Sequence, residues 1–310
     1  MTKIIPFLIL LAPPAALPQD GVRVTGPVAG FVLDSAQHAL RPILGIPGSS
    51  YLGAAVIQAV DRAAVSPDGR SVLMISGGRL LLVSGLRAAA PAALPIETIE
   101  GIDRIAWSPN GALAAIYSSA ARQAVILRDL ANTPAGGAPI RFEDAVTALA
   151  ISSGGDLVVG SESGVFLLAA DAAPRLLTPA TRPIAVGFCG QDLFIAEAAG
   201  RILMVENFAG APAVSVFADA VPSPVGLQIS ADGKRLFVAA AGSQRLLAFD
   251  IAGHNVTVEA ELDTAPTELS PSGGRDLWLL NSDRAAAEPL YIASGDPNLA
   301  VWFVPDGREQ

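Results

Sequence analysis

Ser66-Pro67-Asp68-Gly69 separates two short apolar runs, Ala63-Ala64-Val65 before it and Ser71-Val72-Leu73-Met74-Ile75 after it. Pro presets φ at the first corner, Asp bonds to nearby backbone, and Gly accepts a positive φ, so the four residues predict a tight turn. A second loop, Ser76-Gly77-Gly78, leads into a third run, Arg79-Leu80-Leu81-Leu82-Val83. The stretch therefore predicts three consecutive strands joined by a turn and a short loop.

The same kind of turn returns along the chain at intervals near forty residues. The copies are Ser108-Pro109-Asn110-Gly111, Ser152-Ser153-Gly154-Gly155, Gly190-Gln191-Asp192, Ser230-Ala231-Asp232-Gly233 and Ser270-Pro271-Ser272-Gly273. A common loop would occur once or twice by chance, not six times at near-constant spacing before apolar runs. A period near forty residues is that of one propeller blade of four short strands. The sequence predicts an all-β protein, a β-propeller of four-stranded antiparallel blades.

The pattern leaves two blade counts open. Six modules, with strands A to D counted outward from the channel, occupy residues 63–304, and the last is predicted to have strand A at residues 267–269. Residues 30–60 lack the turn and resemble the outer half of a blade. They predict a seventh blade, completed by a strand borrowed from residues 299–304, or else an appendage on a six-bladed ring. Seven blades are favoured because completing one blade from both chain ends leaves no open edge.

Composition bounds the class of protein. Of 310 residues, 51% are hydrophobic and 16% are charged, which is ample for a large core and too apolar for disorder. The net charge of −9 argues against a nucleic-acid partner. Cys189 is the single cysteine, so no disulfide can form within the chain, and its apolar surroundings in sequence predict a buried, inert thiol.

Residues 1–19 have the pattern of a signal peptide. Lys3 precedes a brief apolar run, Ile4 to Leu11, and small residues follow near Ala15. The run is too short to span a bilayer, and no later segment reaches that length. We therefore expect residues 20–310 to form one exported domain, periplasmic or secreted. The alternative is a disordered start of a cytosolic protein.

One copy of the repeat carries a resemblance to a known family. Ser230-Ala231-Asp232-Gly233-Lys234-Arg235-Leu236-Phe237-Val238-Ala239-Ala240, followed by Ser243-Gln244-Arg245-Leu246-Leu247-Ala248-Phe249-Asp250, resembles the YVTN/WD40-like β-propeller repeat of bacterial exported proteins. The looser copies at Ser66 and Ser108 match its first half. The likeness covers roughly residues 60–304 but lacks the Gly-His and Trp-Asp pairs of WD40 repeats. It implies the fold and is nearly silent about activity.

The resemblance also implies a binding face, made by the D–A loops between blades and the B–C loops within them. Ten residues are predicted at its rim: Asp61, Arg62, Asp103, Arg104, Tyr117, Glu162, Arg182, Glu197, Asn281 and Asp283. A ring of carboxylates and arginines could bind a polar ligand or a divalent cation. The alternative is that these are solvated loop residues, some paired as Asp-Arg.

The sequence contains no motif for a defined reaction. There are two histidines, His38 and His254, and no His-Glu-x-x-His, paired-Cys, EF-hand or phosphate-loop pattern. Gly160-Ser161-Glu162-Ser163-Gly164 has Glu where a nucleophile elbow has Ser. We expect a module that binds an unknown protein or glycan partner or ligand, without a cofactor. The alternative is a metal-dependent lactonase or hydrolase, with a calcium-like cation held by residues such as Asp61, Asp103, Glu162 and Asn281.

Overall fold

The computed structural model describes residues 26–88, 90–169, 173–281, 289–295 and 298–307. The signal peptide predicted at residues 1–19 lies outside this part of the chain. The described residues form strands, with a single three-residue 3-10 turn at Ala241–Ser243. None of their helical structure is long and apolar enough to cross a membrane.

The strands form seven antiparallel sheets, each built from consecutive segments. Blade 1 contains β1 (Val28–Asp34), β2 (Ala39–Ile46), β3 (Ser49–Leu52) and β4 (Ile57–Gln58), and blade 2 contains β5 (Arg62–Val65), β6 (Ser71–Ser76), β7 (Arg79–Ser84) and β8 (Ala92–Ile96). Blade 3 contains β9 (Arg104–Trp107), β10 (Ala114–Ser118), β11 (Gln123–Arg128), β12 (Ala135–Gly136) and β13 (Ile140–Arg141). Blade 4 contains β14 (Val146–Ile151), β15 (Leu157–Ser161), β16 (Gly164–Leu168) and β17 (Arg175–Thr178).

Blades 5 to 7 continue the same plan. Blade 5 contains β18 (Pro183–Cys189), β19 (Asp192–Glu197), β20 (Ile202–Glu206) and β21 (Ala213–Ala218). Blade 6 contains β22 (Pro224–Ile229), β23 (Arg235–Ala240), β24 (Arg245–Asp250) and β25 (Asn255–Glu261). Blade 7 contains β26 (Ser270–Gly274), β27 (Leu277–Leu280), β28 (Tyr291–Ser294) and β29 (Ala300–Phe303). The all-β, seven-bladed propeller predicted from the repeat is confirmed, and residues 30–60 belong to a blade of their own.

The core lies between blades, because each middle strand is apolar on both faces. Leu73 and Leu82 of blade 2 pack against Ile116 and Leu127 of blade 3, and all four are buried. Burying each such side chain contributes about 1.5–3 kcal/mol, which no blade gains alone. The outer strands face solvent on one side, and most of β21 is exposed. The apolar middle strands thus drive the sheets to stack around a ring.

The turn from strand A to strand B is held by its own side chains. Ser66 Oγ donates to Asp68 Oδ1 (2.6 Å) and accepts from Ser71 N (3.0 Å). Asp68 Oδ1 also accepts from Arg70 N (3.0 Å), and Gly69 has φ +66°. These bonds explain why Ser, Asp and Gly recur at fixed places in the repeat.

The last predicted turn is displaced in the structure. Ser270–Gly274 is strand β26, and the chain reverses afterwards at Arg275 and Asp276. Ser272, rather than Ser270, takes the place of the first serine of the turn. Its hydroxyl donates to Leu277 O, five residues further on, at 3.0 Å, as Ser108 Oγ donates to Leu113 O in blade 3. The predicted turn at Ser270 was therefore wrong by two residues, and strand A lies at Ser270–Gly274 instead of residues 267–269.

The first strand of blade 1 runs in the direction opposite to the first strands of the other blades. Ser272 Oγ at the end of β26 lies 3.3 Å from Ala29 O at the start of β1. The turn after β1 reaches the opposite face, where Val60 N donates to His38 O (2.8 Å) just before β5 begins. β1 therefore runs opposite to the inner strands of the other blades, although it lines the channel as they do and belongs to a four-stranded sheet.

The chain end completes blade 1 differently from the prediction. Residues 299–304 were expected to supply its missing strand, but Ala300–Phe303 pairs with β28 as the outer strand of blade 7. The backbone hydrogen bond to blade 1 comes from the next residues: Leu52 N donates to Pro305 O (2.8 Å). Arg41, buried in blade 1, bonds Asp34 at 3.0 Å and Asp306 at 3.5 Å. An ion pair and a short bridge thus join the chain end to the first blade.

Candidate functional site

The channel opens on two faces with different loops. The A–B face carries the Ser-x-Asp-Gly turns, such as Ser66 to Gly69. The D–A face carries the loops between blades together with the B–C loops, and the rim residues predicted from sequence belong to it. The side-chain contacts of these loops decide what each face can bind.

On the D–A face, carboxylates bond to loops of their own blade. Asp61 Oδ2 accepts from Gly77 N (3.0 Å). Asp103 Oδ2 accepts from Ser119 N (3.2 Å) and from the Ser119 hydroxyl. Each bond fastens the start of strand A to the B–C loop. We call such a bond a clasp.

The two clasps of blades 5 and 7 are buried. Glu197 has no exposed surface and accepts from Thr181 N (2.5 Å). Arg201 Nε also donates to Glu197 (2.6 Å), and this hydrogen bond raises the pKa of Arg201. Asn281, 2% exposed, accepts from Thr267 N (2.8 Å). The acidic and amide candidates therefore hold blades together internally.

The clasps do not bring these side chains to one centre. In the described parts of the chain, no group of three or more His, Cys, Asp or Glu side chains is close enough to hold a metal ion. Asp283, the last rim candidate, lies outside the described residues. The calcium-like site expected as an alternative finds no assembled ligand set among the residues described.

The remaining candidates divide into exposed and buried. Arg62, Arg104 and Arg182 are exposed at or next to the starts of inner strands, and Glu162 is exposed in the turn between β15 and β16. Tyr117 is fully buried between blades 3 and 4, with its hydroxyl accepting from Val146 N (3.2 Å). Tyr117 thus serves packing rather than the rim surface.

A channel of about 1120 Å³ runs through the ring and is lined by the inner strands. Its wall is mixed: half-exposed apolar side chains such as Val65, Ile105, Val186 and Phe188 alternate with polar groups. None of the nine described rim candidates lines it. The concave surface of the molecule is therefore separate from the predicted rim.

Small residues make room in this channel. Ile105 and Trp107 pack into the core between blades 2 and 3, whereas Ala106, which lies between them, belongs to no described core cluster. Trp107 Nε1 donates to Ala64 O of the preceding blade (2.8 Å), which satisfies a carbonyl on an inner strand. Alanine at position 106 leaves space that a larger side chain would fill.

Polar groups also line the channel. Cys189 is half-buried near the A–B face, and its Sγ donates a hydrogen bond to Gly233 O (3.3 Å). Burial, and then the carboxylates of Asp192 and Asp232, raise the pKa of this thiol, so it stays protonated at neutral pH. Deeper in the wall lie the carboxylate of Glu268 and the amide of Gln228, whose Nε2 donates to Leu269 O (3.1 Å).

Sequence reasoning missed the channel wall because it looked for polar residues. The available signal was the near absence of charge from the inner strands, as in Val146–Ile151 and Pro183–Cys189. Glu268 interrupts that pattern just before β26 and could have been singled out.

The fold defines the class of protein as a seven-bladed β-propeller, and similar solved structures share it. A functionally unknown protein from Desulfotomaculum acetoxidans has a TM-score of 0.65 at 13% identity, over 90% of this chain and 99% of its own. Hydrazine synthase from Kuenenia stuttgartiensis gives 0.58 at 15% identity over 92% and 98%. Virginiamycin B lyase from Staphylococcus aureus gives 0.57 at 13% identity over 80% and 84%.

At these identities the likeness shows the fold alone. No protein-family model matches the sequence, and no curated protein matches it. The propeller is thus confirmed, whereas membership of the YVTN/WD40-like family stays an expectation from the repeat.

Proposed function

We propose that the protein is an exported, non-catalytic binding module that takes the apolar part of a ligand, or of a protein or glycan partner, into its central channel. One observation carries this proposal: an open channel of about 1120 Å³ into which half-exposed apolar side chains of the inner strands project beside polar groups. Ligand sites of drug size are typically about 300–1,000 Å³, mostly apolar, with a few fixed polar groups. The channel is large enough, and its lining offers both apolar side chains and polar groups.

The half-exposed wall supplies the driving force. Val65, Ile105 and Phe188 keep apolar surface in contact with the channel. Covering apolar surface is worth roughly 25 cal/mol per Å². An apolar ligand group therefore gains free energy without any rearrangement of the blades.

The contacts of the polar groups favour binding over catalysis. The clasp carboxylates Asp61, Asp103 and Glu197 already accept hydrogen bonds from their own blade. The Cys189 thiol is held protonated and has no histidine partner in the lining. A nucleophile with an adjacent base, which covalent catalysis needs, is not assembled among the described lining residues.

Export is the part of the proposal that rests on sequence alone. The charge, apolar run and small residues of positions 1–19 support a periplasmic or secreted location. A fusion of residues 1–40 to a reporter that is active only outside the cytoplasm tests it. An inactive reporter would contradict export and leave the binding proposal standing.

Titration with N-phenyl-1-naphthylamine, a neutral apolar fluorophore, tests the channel. We expect saturable binding of one dye per chain to the wild type. Ala106→Phe fills the channel and should remove it, whereas Ala93→Phe, on the exposed outer strand β8, should leave it unchanged. Absence of dye binding to the wild type, or equal loss in both variants, would overturn the proposed function.

A further inference from the structure

We propose that the mouth of the channel on the A–B face binds the anionic end of the ligand, an oxyanion such as a carboxylate or sulfonate, between Arg87 and Arg275. This inference rests on the proposed function, because it adds a charged head to the ligand whose apolar part enters the same channel. It is carried by two guanidinium groups that line the mouth and have no side-chain partner in the described chain.

The two arginines lie on backbone segments that touch. Blade 1 lies between blades 2 and 7 in the ring, yet a Cβ added at Gly273 of blade 7 would lie 2.7 Å from Gly69 Cα of blade 2. A Cβ added at Gly69 would lie 3.2 Å from Arg87 Nη2 and closer still to Gly273 O. Arg275 follows Gly273 by two residues. Both side chains therefore arise beside the same contact.

Neither guanidinium is engaged by the protein. Arg87 is exposed in the turn after β7, where Gly85 N and Leu86 N both donate to Arg70 O (2.9 and 3.1 Å) and fix the backbone. Arg275 is exposed in the turn between β26 and β27. Among the described residues, neither side chain has a hydrogen-bond or ion-pair partner. Since a guanidinium carries five N–H donors, both arginines have donors available for a ligand.

The carboxylates at the same mouth are held by other donors. Asp68 Oδ1 accepts from Ser66 Oγ (2.6 Å) and from Arg70 N (3.0 Å), and Arg70 Nε lies 3.8 Å from Asp68 Oδ2. Asp276 Oδ1 accepts from Ala231 N of blade 6 (2.7 Å). Two like charges beside one contact repel each other. An oxyanion between the arginines offsets this repulsion and accepts charge-assisted hydrogen bonds from both.

The position of the arginines gives the ligand a direction in the channel. Val65, half-exposed to the channel, ends β5 next to the mouth, and its Cγ1 would lie 3.0 Å from a Cβ added at Gly273. Glu268, the remaining acid of the described lining, lies towards the D–A face, next to Thr267, whose N–H is bonded to Asn281 (2.8 Å). A ligand whose anionic head lies at the arginines therefore extends its apolar body inward from the A–B face.

Two dyes with the same aromatic body test the inference by fluorescence titration. N-phenyl-1-naphthylamine is neutral, and 8-anilino-1-naphthalenesulfonate adds a sulfonate to it. We expect the wild type to bind one sulfonate dye per chain, about tenfold more tightly than the neutral dye. Replacing both arginines, Arg87→Gln with Arg275→Gln, should remove this preference and leave the neutral dye unaffected. Arg182→Gln, which removes an exposed arginine of the D–A face, should retain the preference.

The outcomes separate the inference from the function on which it rests. Binding of neither dye to the wild type would contradict the channel as a binding site. Equal affinity for the two dyes, or an unchanged preference in the double variant, would overturn the anion inference alone. Retained binding of the neutral dye and an unchanged melting temperature show that the double variant is folded.

Discussion

The two faces of the propeller stabilise their loops in different ways. On the A–B face, Ser66 and Asp68 bond within one turn, to partners two to five residues away. On the D–A face, the clasps of Asp61 and Asp103 join residues sixteen apart, across the length of two strands. Side chains of the same type therefore serve a local turn on one face and a longer connection on the other.

This difference explains why a clasp acid is hard to tell from a ligand-binding acid in the sequence. A turn is recognised in the sequence from four consecutive residues, whereas a clasp appears as a single acidic residue in a loop. Isolated acids around a channel mouth resemble a ligand site until their hydrogen-bond partners are known. Long-range structural bonds therefore account for the polar rim predicted on the D–A face.

The largest expected effect is at the buried clasp of blade 5. Glu197→Ala removes the acceptor of both Thr181 N and Arg201. We expect a loss of about 2–3 kcal/mol in the free energy of unfolding, less than for a fully buried pair because Arg201 is partly exposed. Urea denaturation measures it.

Glu162→Ala is the matched control, because Glu162 is an exposed glutamate in a B–C loop of the same face. Its effect should stay within about 0.5 kcal/mol. Equal destabilisation by the two substitutions would mean that burial and clasp bonding do not distinguish these residues.

A smaller effect is expected from a local turn. Ser230→Ala removes a buried hydroxyl that accepts from Arg235 N (2.9 Å) and donates to Asp232 (2.6 Å). The expected loss is about 1–2 kcal/mol, since one backbone N–H loses its partner. Ser153→Ala, at an exposed turn position in blade 4, should change stability by less than about 0.5 kcal/mol. A larger loss in Ser230→Ala than in Glu197→Ala would reverse the ranking of the two faces.

The smallest effect concerns pH. The Ser230 hydroxyl, and then the Lys234 N–H, lower the pKa of Asp232 below its ordinary 3.8. A lowered pKa gives stability that is present above the unfolded value and is lost as pH falls through the folded value. Asp232→Asn should therefore lose less stability than the wild type between pH 7 and pH about 3, in paired urea titrations.

The structure supplies a precedent for this substitution. Asn110 occupies the same place in the turn of blade 3, where its Oδ1 accepts from Ser108 Oγ (2.8 Å) and Ala112 N (3.0 Å). The geometry thus survives without the charge. An identical acid dependence in wild type and Asp232→Asn would show that this turn does not contribute to the pH effect.

The fold was predictable because each blade is specified by residues that are close together in the sequence. Each turn and apolar run specifies one blade, and the near-forty-residue period specifies their number to within one. The turn was misplaced at Ser270 because Ser270-Pro271-Ser272-Gly273 repeats the Ser-Pro-x-Gly pattern, whereas the structure uses Ser272 as the first serine of the turn. The prediction of how the ring closes was wrong, because the contacts of Asp306 with blade 1 leave no local pattern in the sequence.

The site was less predictable for a physical reason. A channel wall is assembled from one strand of each blade, so Val65, Phe188 and Glu268 become neighbours only when the ring exists. Each alone is an ordinary residue in an apolar segment. The rarity of charged residues in the inner strands was the sequence signal for the channel wall, and that signal does not give the volume of the channel.

The bond between Arg41 and Asp306 has a consequence for the order of folding. It joins residues 265 apart, whereas the clasps span fourteen to sixteen. Bringing such distant segments together costs about 2.5 kcal/mol more chain entropy than closing a clasp. Individual blades should therefore form first and fast, and sealing of the seam between the first and last blades should be the late, slow event in refolding.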